Sequence, residues 1–410
     1  MNRTHGRRWF GWMPSVLALI LVAIAAALAV PSSARAAGAG TLRVEAASVT
    51  GVGVGDTFTV RVVSNAAGVI SGASASVVFD KTKLQVTALA KGANWVIAGA
   101  GYAGYPTTLN TATFIANANA GGKIPVIAAF FVDGSTTLAA GDHDLYSLTF
   151  RALAAGVTNL TLPVGAFDGA MLDGAVATYG DTLSVTSTGG TVTVVAKPTA
   201  AMFSLPTWVL ASALPVRWTG TPAGAAIVSY DVRYRRAAWN GVFGAPVTWL
   251  AATALTTSTF TLPVGWTYCF SVRALDAAAV TSNWSAETCT AMPLDDRSLS
   301  RAGSWTLGSS ATYYRSTYLR SSSLNAKLTR TSVKARRIAI VATTCSTCGS
   351  IKVYWGTTLL KTISLHSATT VNRKLITVTT FTSVRTGTLS IRVITSGKKV
   401  IIDGLAIRAT

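Results

Sequence analysis

Between Val69 and Val86 the chain alternates small and apolar side chains so regularly that an extended, half-buried backbone is the only conformation that suits it. Ala73, Ala75, Val77 and Phe79 fall on one side of such a strand, and Gly72, Ser74, Ser76 and Val78 on the other. That is the period of a pleat with one face packed and one face out. Asp80 and Lys81 end the period, and Leu84 to Val86 begins another. A chain that repeats this pattern must build sheets packed face to face.

The pattern does repeat. TFTVRVVS, SLTF, NLTLPV, TVTVV, YDVRYR, FTLPV, CFSVRA, IAIVAT, IKVYW, KTISL, LSIRVIT and VIIDGLAI are short, rich in Thr, Val and Ile, and separated by Gly, Asn, Asp or Ser. This punctuation belongs to antiparallel sandwiches rather than βαβ units. The reading is all-β, with three tandem β-sandwiches; no helix is expected beyond one turn near Ala152 to Ala155. Breaks at Lys197-Pro198 and at Pro293 to Asp296 set the divisions.

The first residues address the chain for export. Arg3, Arg7 and Arg8 precede an apolar run from Val16 to Val30, and Ala34-Arg35-Ala36 follows it. These are the basic, apolar and small-residue regions of a signal peptide over residues 1–36, cleaved after Ala36. The run is about 15 residues, short of the roughly 20 that span a bilayer. No membrane span is expected after cleavage, and the product is secreted or held to a cell surface without a covalent bond.

Charge is partitioned unevenly. The net charge is +20, yet residues 41–197 hold eight basic and nine acidic side chains, while residues 296–410 hold eighteen and two. One segment is strongly basic and its neighbours are close to neutral. Nucleic acid would suit that charge, but the export signal favours extracellular anionic polymers.

Catalytic chemistry is poorly served. Of three histidines, His5 lies in the signal peptide and His143 and His366 lie in different segments. Glu45 and Glu287 are the only glutamates, so a glycosidase pair would have to be built from aspartates such as Asp133, Asp142, Asp144 and Asp168. Asp142-His143-Asp144 reads first as a solvated turn and second as a metal cluster. No catalytic residue, metal or cofactor is expected.

Five segments together carry a family resemblance: VISGASASVVFDKTKLQV, GDTFTVRV at Gly55 to Val62, IAAFFVDG at Ile127 to Gly134, YSLTFRALAAG at Tyr146 to Gly156, and GGTVTVV at Gly189 to Val195. Residues 41–196 resemble cohesins, sandwich modules that hold polysaccharide-degrading enzymes together or bind sugar themselves. The resemblance implies a jelly-roll sandwich whose partner face is the outward side of Gly72, Ser74, Ser76 and Val78. Cohesins of the dockerin-binding type commonly place Asn and Asp there, where this chain has Gly72 and Ser74. Polysaccharide binding is therefore the favoured expectation, and a dockerin-bearing protein the alternative partner.

Residues 199–294 resemble a fibronectin type III domain through Trp218 in LPVRWTG, YDVRYRR at Tyr230 to Arg236, and GWTYCFSVRALD at Gly265 to Asp276. The resemblance implies a spacer in which Tyr234 packs across from Trp218, Tyr268 is a corner tyrosine bonded to backbone, and Trp239 and Trp249 cover a loop and a sheet edge. Four cysteines in an exported chain read first as disulfides: Cys269 and Cys289 fall on neighbouring strands of that segment, and Cys345 and Cys348 form a CSTC that would staple a local turn, with a redox centre or half of a zinc site as the alternatives. Residues 300–410 are similar to jelly-roll carbohydrate-binding modules in Trp305, the YYRSTYLRS run from Tyr313, IKVYWGTTLLKTISL at Ile351 to Leu365, and the closing VIIDGLAIR. Trp305, Tyr313, Tyr314, Tyr318 and Trp355 are the candidates for stacking on sugar, with core packing the competing role for each. Tyr313 and Tyr314, as strand neighbours, would face opposite sides.

The function these readings favour is a non-enzymatic extracellular binding and scaffolding protein, binding a polysaccharide or cell-wall polymer. The alternatives are a dockerin-binding scaffold of a cellulosome-like assembly and, third, an accessory chain with its own glycoside hydrolase activity. Few contacts between successive sandwiches are expected.

Overall fold

A computed structural model describes residues 38–92, 102–103, 112–131, 137–165, 169–173 and 182–410. Residues 1–36, read from the sequence as a signal peptide, and Asp133 and Asp168 lie outside the described residues. Nearly all regular structure is strand, as the alternating runs require. Two compact units divide at Ala196 and Lys197.

The first unit stacks three sheets. One orders β11 (Ser184–Thr188), β1 (Ala39–Glu45), β3 (Thr57–Ala66), β8 (Gly141–Ala152) and β5 (Leu84–Lys91). Another orders β10 (Gly169–Asp173), β4 (Ile70–Val78), β7 (Lys123–Phe131) and β6 (Tyr102–Ala103). The third orders β2 (Ser48–Gly53), β12 (Gly190–Val195) and β9 (Gly156–Leu160). Leu42, Val60, Val62, Leu148 and Phe150 from the first sheet share one core with Ala73, Ala75 and Val77 of β4. The alanines of β4 are small for a reason that lies across the sandwich. Tyr146 of β8 is fully buried and its hydroxyl donates to the carbonyl of Ala75 at 3.2 Å, so the tyrosine takes the volume that larger β4 side chains would need.

Asp80 ends β4 by folding the chain onto its own carboxylate. Its Oδ1 accepts the Thr82 N–H at 2.9 Å and the Thr82 hydroxyl at 2.6 Å, an Asx turn that competes with strand continuation. The sequence reading of no helix is corrected here. α1 (Ala112–Gly121) is a ten-residue helix with no acidic residue in its first turn and no basic one in its last. Asn119 ties it to β5, accepting the Val86 N–H at 2.7 Å and donating to the Val86 carbonyl at 2.9 Å. The suggested turn at Ala152 to Ala155 is instead the end of β8 followed by a bend.

The second unit holds three more sheets. β13 (Thr199–Met202), β14 (Ala213–Thr221) and β17 (Thr257–Thr261) face a sheet of β16 (Val247–Thr253), β15 (Ile227–Ala238), β18 (Trp266–Asp276) and β19 (Thr288–Ala291). Trp218 is the largest buried side chain between them. Its ring meets Trp249 at 6.2 Å rather than Tyr234. Tyr234 packs instead with Phe260, Tyr268 and Phe270, and Trp249 belongs to the same aromatic cluster. The Tyr268 hydroxyl accepts from the Arg236 guanidinium at 3.3 Å, where the resemblance implied a bond to backbone.

A nine-stranded sheet completes the unit. Its main path runs β22 (Thr306–Ser309), β23 (Thr317–Ser321), β28 (Val400–Arg408), β24 (Lys327–Thr344), β27 (Val371–Val393), β25 (Ser350–Trp355) and β26 (Thr358–Ser364). β20 (Leu294–Asp295) joins β28, and β21 (Ser300–Ala302) joins β24.

The expectation of few contacts on either side of residue 296 fails. Tyr314 and Val341 are buried in the same cluster as Trp218 and Phe270. In return Trp239 packs on the core of the nine-stranded sheet, with the Arg330 guanidinium 3.8 Å over its ring. Backbone closes the join, the Lys334 N–H donating to the Trp239 carbonyl at 2.9 Å. Pro293 marks a crossing between two sandwiches with a shared interior. No helix among the described residues is long and apolar enough to cross a membrane, which leaves strand-built crossings unaddressed.

Candidate partner-docking face

β4 lies inside its sheet, flanked by β10 and β7, so its outward side chains form the middle of a surface. Ala170, Ser74 and Ala128 stand abreast across the three strands, and each is half-exposed. Cross-strand partners share one face. The Ser74 hydroxyl accepts the Ala170 N–H at 3.2 Å, which holds the strand edge rather than projecting a charge. Val78 pairs with Lys123 at the end of the strand, and Val126 is exposed beside them.

Two of the sequence candidates do not reach this surface. Gly72 is buried and Ser76 is 0% exposed. Simple alternation puts Ser76 outside, but the pairing with β7 shifts register between Ala75 and Val77, where Ser76 alone faces Pro125 and Val126 of β7. A bulge of this kind redirects side chains locally. Ser74 and Val78 remain as the accessible pair. The result is a flat patch of Ser, Ala and Val side chains bounded by Lys123.

The opposite sheet is closed off electrostatically. On β8 the Asp142 carboxylate is paired with Arg43 and hydrogen-bonded by Asn65, and Asp144 lies 2.8 Å from Arg61, which also pairs with Glu45. Hydrogen bonding from Arg43, then Asn65, lowers the Asp142 carboxyl to about 2. His143 Nε2 meets the Ala139 carbonyl at 2.7 Å. The Asp142-His143-Asp144 run is therefore strand rather than turn. Its carboxylates already have arginine partners, so neither a metal nor an acid–base pair suits them.

In the second unit the aromatic candidates separate. Tyr314 is 1% exposed and its hydroxyl donates to the Pro293 carbonyl at 2.8 Å, so it is a core residue at the join and not a sugar platform. Tyr313 and Tyr314 do not alternate on a strand, because residues 314–316 form a tight turn with Arg315 and Ser316 at positive φ. The Tyr313 ring lies 4.2 Å from that of Tyr318, both half-exposed. Trp305 and Trp355 pack on the sheet core. Trp355 lies against Phe381 at 5.2 Å and so close over Gly387 that a Cβ there would sit 2.5 Å from the indole.

Both disulfides are formed. Cys269 of β18 stands directly opposite Cys289 of β19, with Cα atoms 4.0 Å apart, and Cys345 is bonded to Cys348 across a turn with Cα atoms 5.0 Å apart.

Sequence reading missed a buried pair of acids. Pairing of Asp295 with Gly404 brings Asp296 beside Asp403 of β28, and both aspartates are 0% exposed. Asp296 Oδ1 accepts the Thr317 hydroxyl at 2.6 Å, and Asp403 Oδ2 accepts the Tyr314 N–H at 2.9 Å. Asp296 Oδ2 and Asp403 Oδ1 have no hydrogen-bond partner. Burial is the main cause that raises the Asp296 carboxyl to about 6 and the Asp403 carboxyl to about 7. The available signal was an aspartate inside the apolar run VIIDGLAI.

Residues 42–194 match the cohesin domain family, so a cohesin domain, a non-catalytic protein-interaction module, occupies that stretch. Among solved structures the chain is similar to the seventh ScaB type I cohesin from Pseudobacteroides cellulosolvens, at 16% identity over 38% of this chain and 93% of that one, with a TM-score of 0.30. It is also similar to the third ScaC cohesin of Acetivibrio cellulolyticus, solved in complex with the ScaB dockerin, at 15% identity over 38% and 98% of the two chains, TM-score 0.28. A non-cellulosomal cohesin from Archaeoglobus fulgidus is 19% identical over 38% and 91%, TM-score 0.25. No curated protein matches the chain.

Proposed function

We propose that the chain is an extracellular scaffold whose cohesin domain docks a dockerin-bearing protein through the outward face of β10, β4 and β7. The observation that carries this reading is the match of residues 42–194 to the cohesin family. The row Ala170, Ser74 and Ala128 supports it, because a flat patch of small side chains lets a folded partner approach the sheet closely. The first expectation, a polysaccharide on this face, is set aside. Open aromatic side chains are the usual sugar contact, and those named from the sequence all lie beyond residue 300.

Three proposed segments make up the scaffold: the cohesin domain at 41–196, a fibronectin type III-like segment at 199–294, and a basic sandwich at 300–410. The second and third act together as the part that holds the cohesin domain away from its support. Export by cleavage after Ala36 belongs to the same proposal.

Titration calorimetry of the full chain against a panel of purified dockerins tests the docking. At least one is expected to bind in the micromolar range or tighter, that is about −8 kcal/mol or better. Silence across the panel, from protein with both disulfides intact, overturns the proposal.

A further inference from the structure

The basic segment hides its only acids. Asp296 and Asp403 are the two acidic side chains of residues 296–410, and both are 0% exposed. No Asp or Glu of that stretch therefore reaches its surface to balance eighteen Lys and Arg.

Three of those cations are stacked side by side. Lys327 of β24 pairs directly with Arg392 of β27, and Arg392 pairs directly with Lys352 of β25. Their sequence neighbours Ala326, Leu328, Ile391, Val393, Ile351 and Val353 are all buried, so the three basic side chains stand together on the outer face. Lys327 and Arg392 are exposed and Lys352 half-exposed. Elsewhere the chain matches its arginines with carboxylates, as in Arg235 with Glu287 and Arg273 with Asp231. The row 327, 392, 352 has no such partner among the described residues.

Like charges directly opposite on a sheet destabilise it. A row of three with no acid nearby is a cost that an anionic ligand would remove. Neighbouring strands are roughly 4.8 Å apart, so the row spans about 10 Å at right angles to the strands. A single small anion would satisfy one cation; a linear polymer laid across the strands, with one charge per repeat, would meet all three in turn. Hydroxyls flank the row, Thr362 beside Lys352 and Thr329 two residues along β24 from Lys327. Tyr354 is the one aromatic in that next row, which is too few rings for a base-stacking platform. Hydroxyl-rich margins and a charged ladder suit a sugar polymer bearing carboxylates.

We propose that the outer face of β24, β27 and β25, centred on Lys327, Arg392 and Lys352, binds a linear acidic polysaccharide of the uronate class. Arg392 at the centre offers a planar fork to a carboxylate, and the lysines flank it as point charges. The surface is separate from the docking face of the cohesin domain, and its ligand is independent of whether a dockerin is bound there.

The test uses the full chain with both disulfides intact and measures binding to polygalacturonate, its fully methyl-esterified form, a sulfated polysaccharide and single-stranded DNA. Polygalacturonate is expected to bind, with affinity falling roughly tenfold between about 50 and about 200 mM salt as counterions are released from about three contacts. The methyl ester should not bind. Replacing the row together (Lys327→Gln, Lys352→Gln, Arg392→Gln) should lower affinity at least about tenfold, whereas an equally discharged control (Arg301→Gln, Lys374→Gln, Lys398→Gln) should change it less than about twofold. The row variant should also unfold at a temperature no lower than the parent at low salt, because repulsion has been removed. Equal loss in the control variant, binding of the methyl ester, tighter binding of the sulfated polymer or of DNA, or a destabilised row variant would each overturn the proposal.

Discussion

The buried acids at the end of the chain make stability depend on pH in an unusual direction. Burial first, and then the proximity of Asp296 and Asp295, raises the Asp403 carboxyl from 3.8 to about 7, against the opposing pull of the Tyr314 N–H and Arg373. Asp296, with Thr317 and Arg297 working against its burial, rises from 3.8 to about 6. A carboxyl whose folded value is raised binds its proton more tightly in the folded state than in the unfolded one. Between about pH 4 and about pH 7 the unfolded chain has released protons that the folded chain retains, so stability falls as pH rises through that window. At about 1.4 kcal/mol per unit, the Asp403 shift alone corresponds to ~4 kcal/mol. The two acids are close enough to titrate together, so the pair is treated as one, contributing on the order of 4 kcal/mol or more.

Asp403→Asn removes the proton without changing the outline of the side chain, and its carbonyl oxygen can still accept the Tyr314 N–H. Above about pH 7 the variant should be more stable than the parent by roughly 1 to 3 kcal/mol, the buried charge being lost and one amide hydrogen left poorly satisfied. Near pH 4 the two should agree to within about 1 kcal/mol. Urea unfolding followed by tryptophan fluorescence reads the right unit, because eight of the eleven tryptophans lie beyond residue 197. A parent midpoint that rises from about pH 5 to about pH 8, or an Asp403→Asn variant that is less stable at the upper end, would refute the reasoning.

Other substitutions probe the remaining assignments. Tyr146→Phe deletes the hydroxyl that reaches the Ala75 carbonyl and should cost about 1 kcal/mol in the unfolding of the first unit; no change would mean the bond does not hold β4 in place. Ala128→Arg puts a long cation into the small-residue row beside Ser74 and should abolish dockerin binding while moving stability by less than about 0.5 kcal/mol, checked by calorimetry beside thermal melts. Gly387→Ala drives a methyl into the Trp355 ring and should destabilise the second unit by about 1 to 3 kcal/mol with a shifted tryptophan emission. An unaltered spectrum would free Trp355 for a surface role.

Where local chemistry decided the outcome, the sequence was readable. Ala73, Ala75 and Val77 lie buried as their period requires, and Cys269 meets Cys289 because both fall on neighbouring strands. Ser76 was misjudged because a register shift depends on the partner strand β7, which periodicity in β4 cannot reveal. α1 escaped notice for a related reason: ATFIANANAG carries no charged residue at either end and buries only Ala118, so neither capping chemistry nor an apolar stripe announces it. Tyr313 and Tyr314 read as strand neighbours, and a tight turn with Arg315 and Ser316 at positive φ separates them. The Asp296–Asp403 pairing joins residues more than a hundred positions apart in the sequence; the aspartate inside VIIDGLAI marks one member, and nothing near it points to the other.

Tyr314 closes the interior of a sandwich to which its own strands do not belong. A chain cut near residue 296 would leave one partner with an open hydrophobic hole and the other with an exposed tyrosine and valine. The two sandwiches must therefore travel as one heritable cassette. Insertions, recombination breakpoints and expression boundaries at Asp296 would open a shared core.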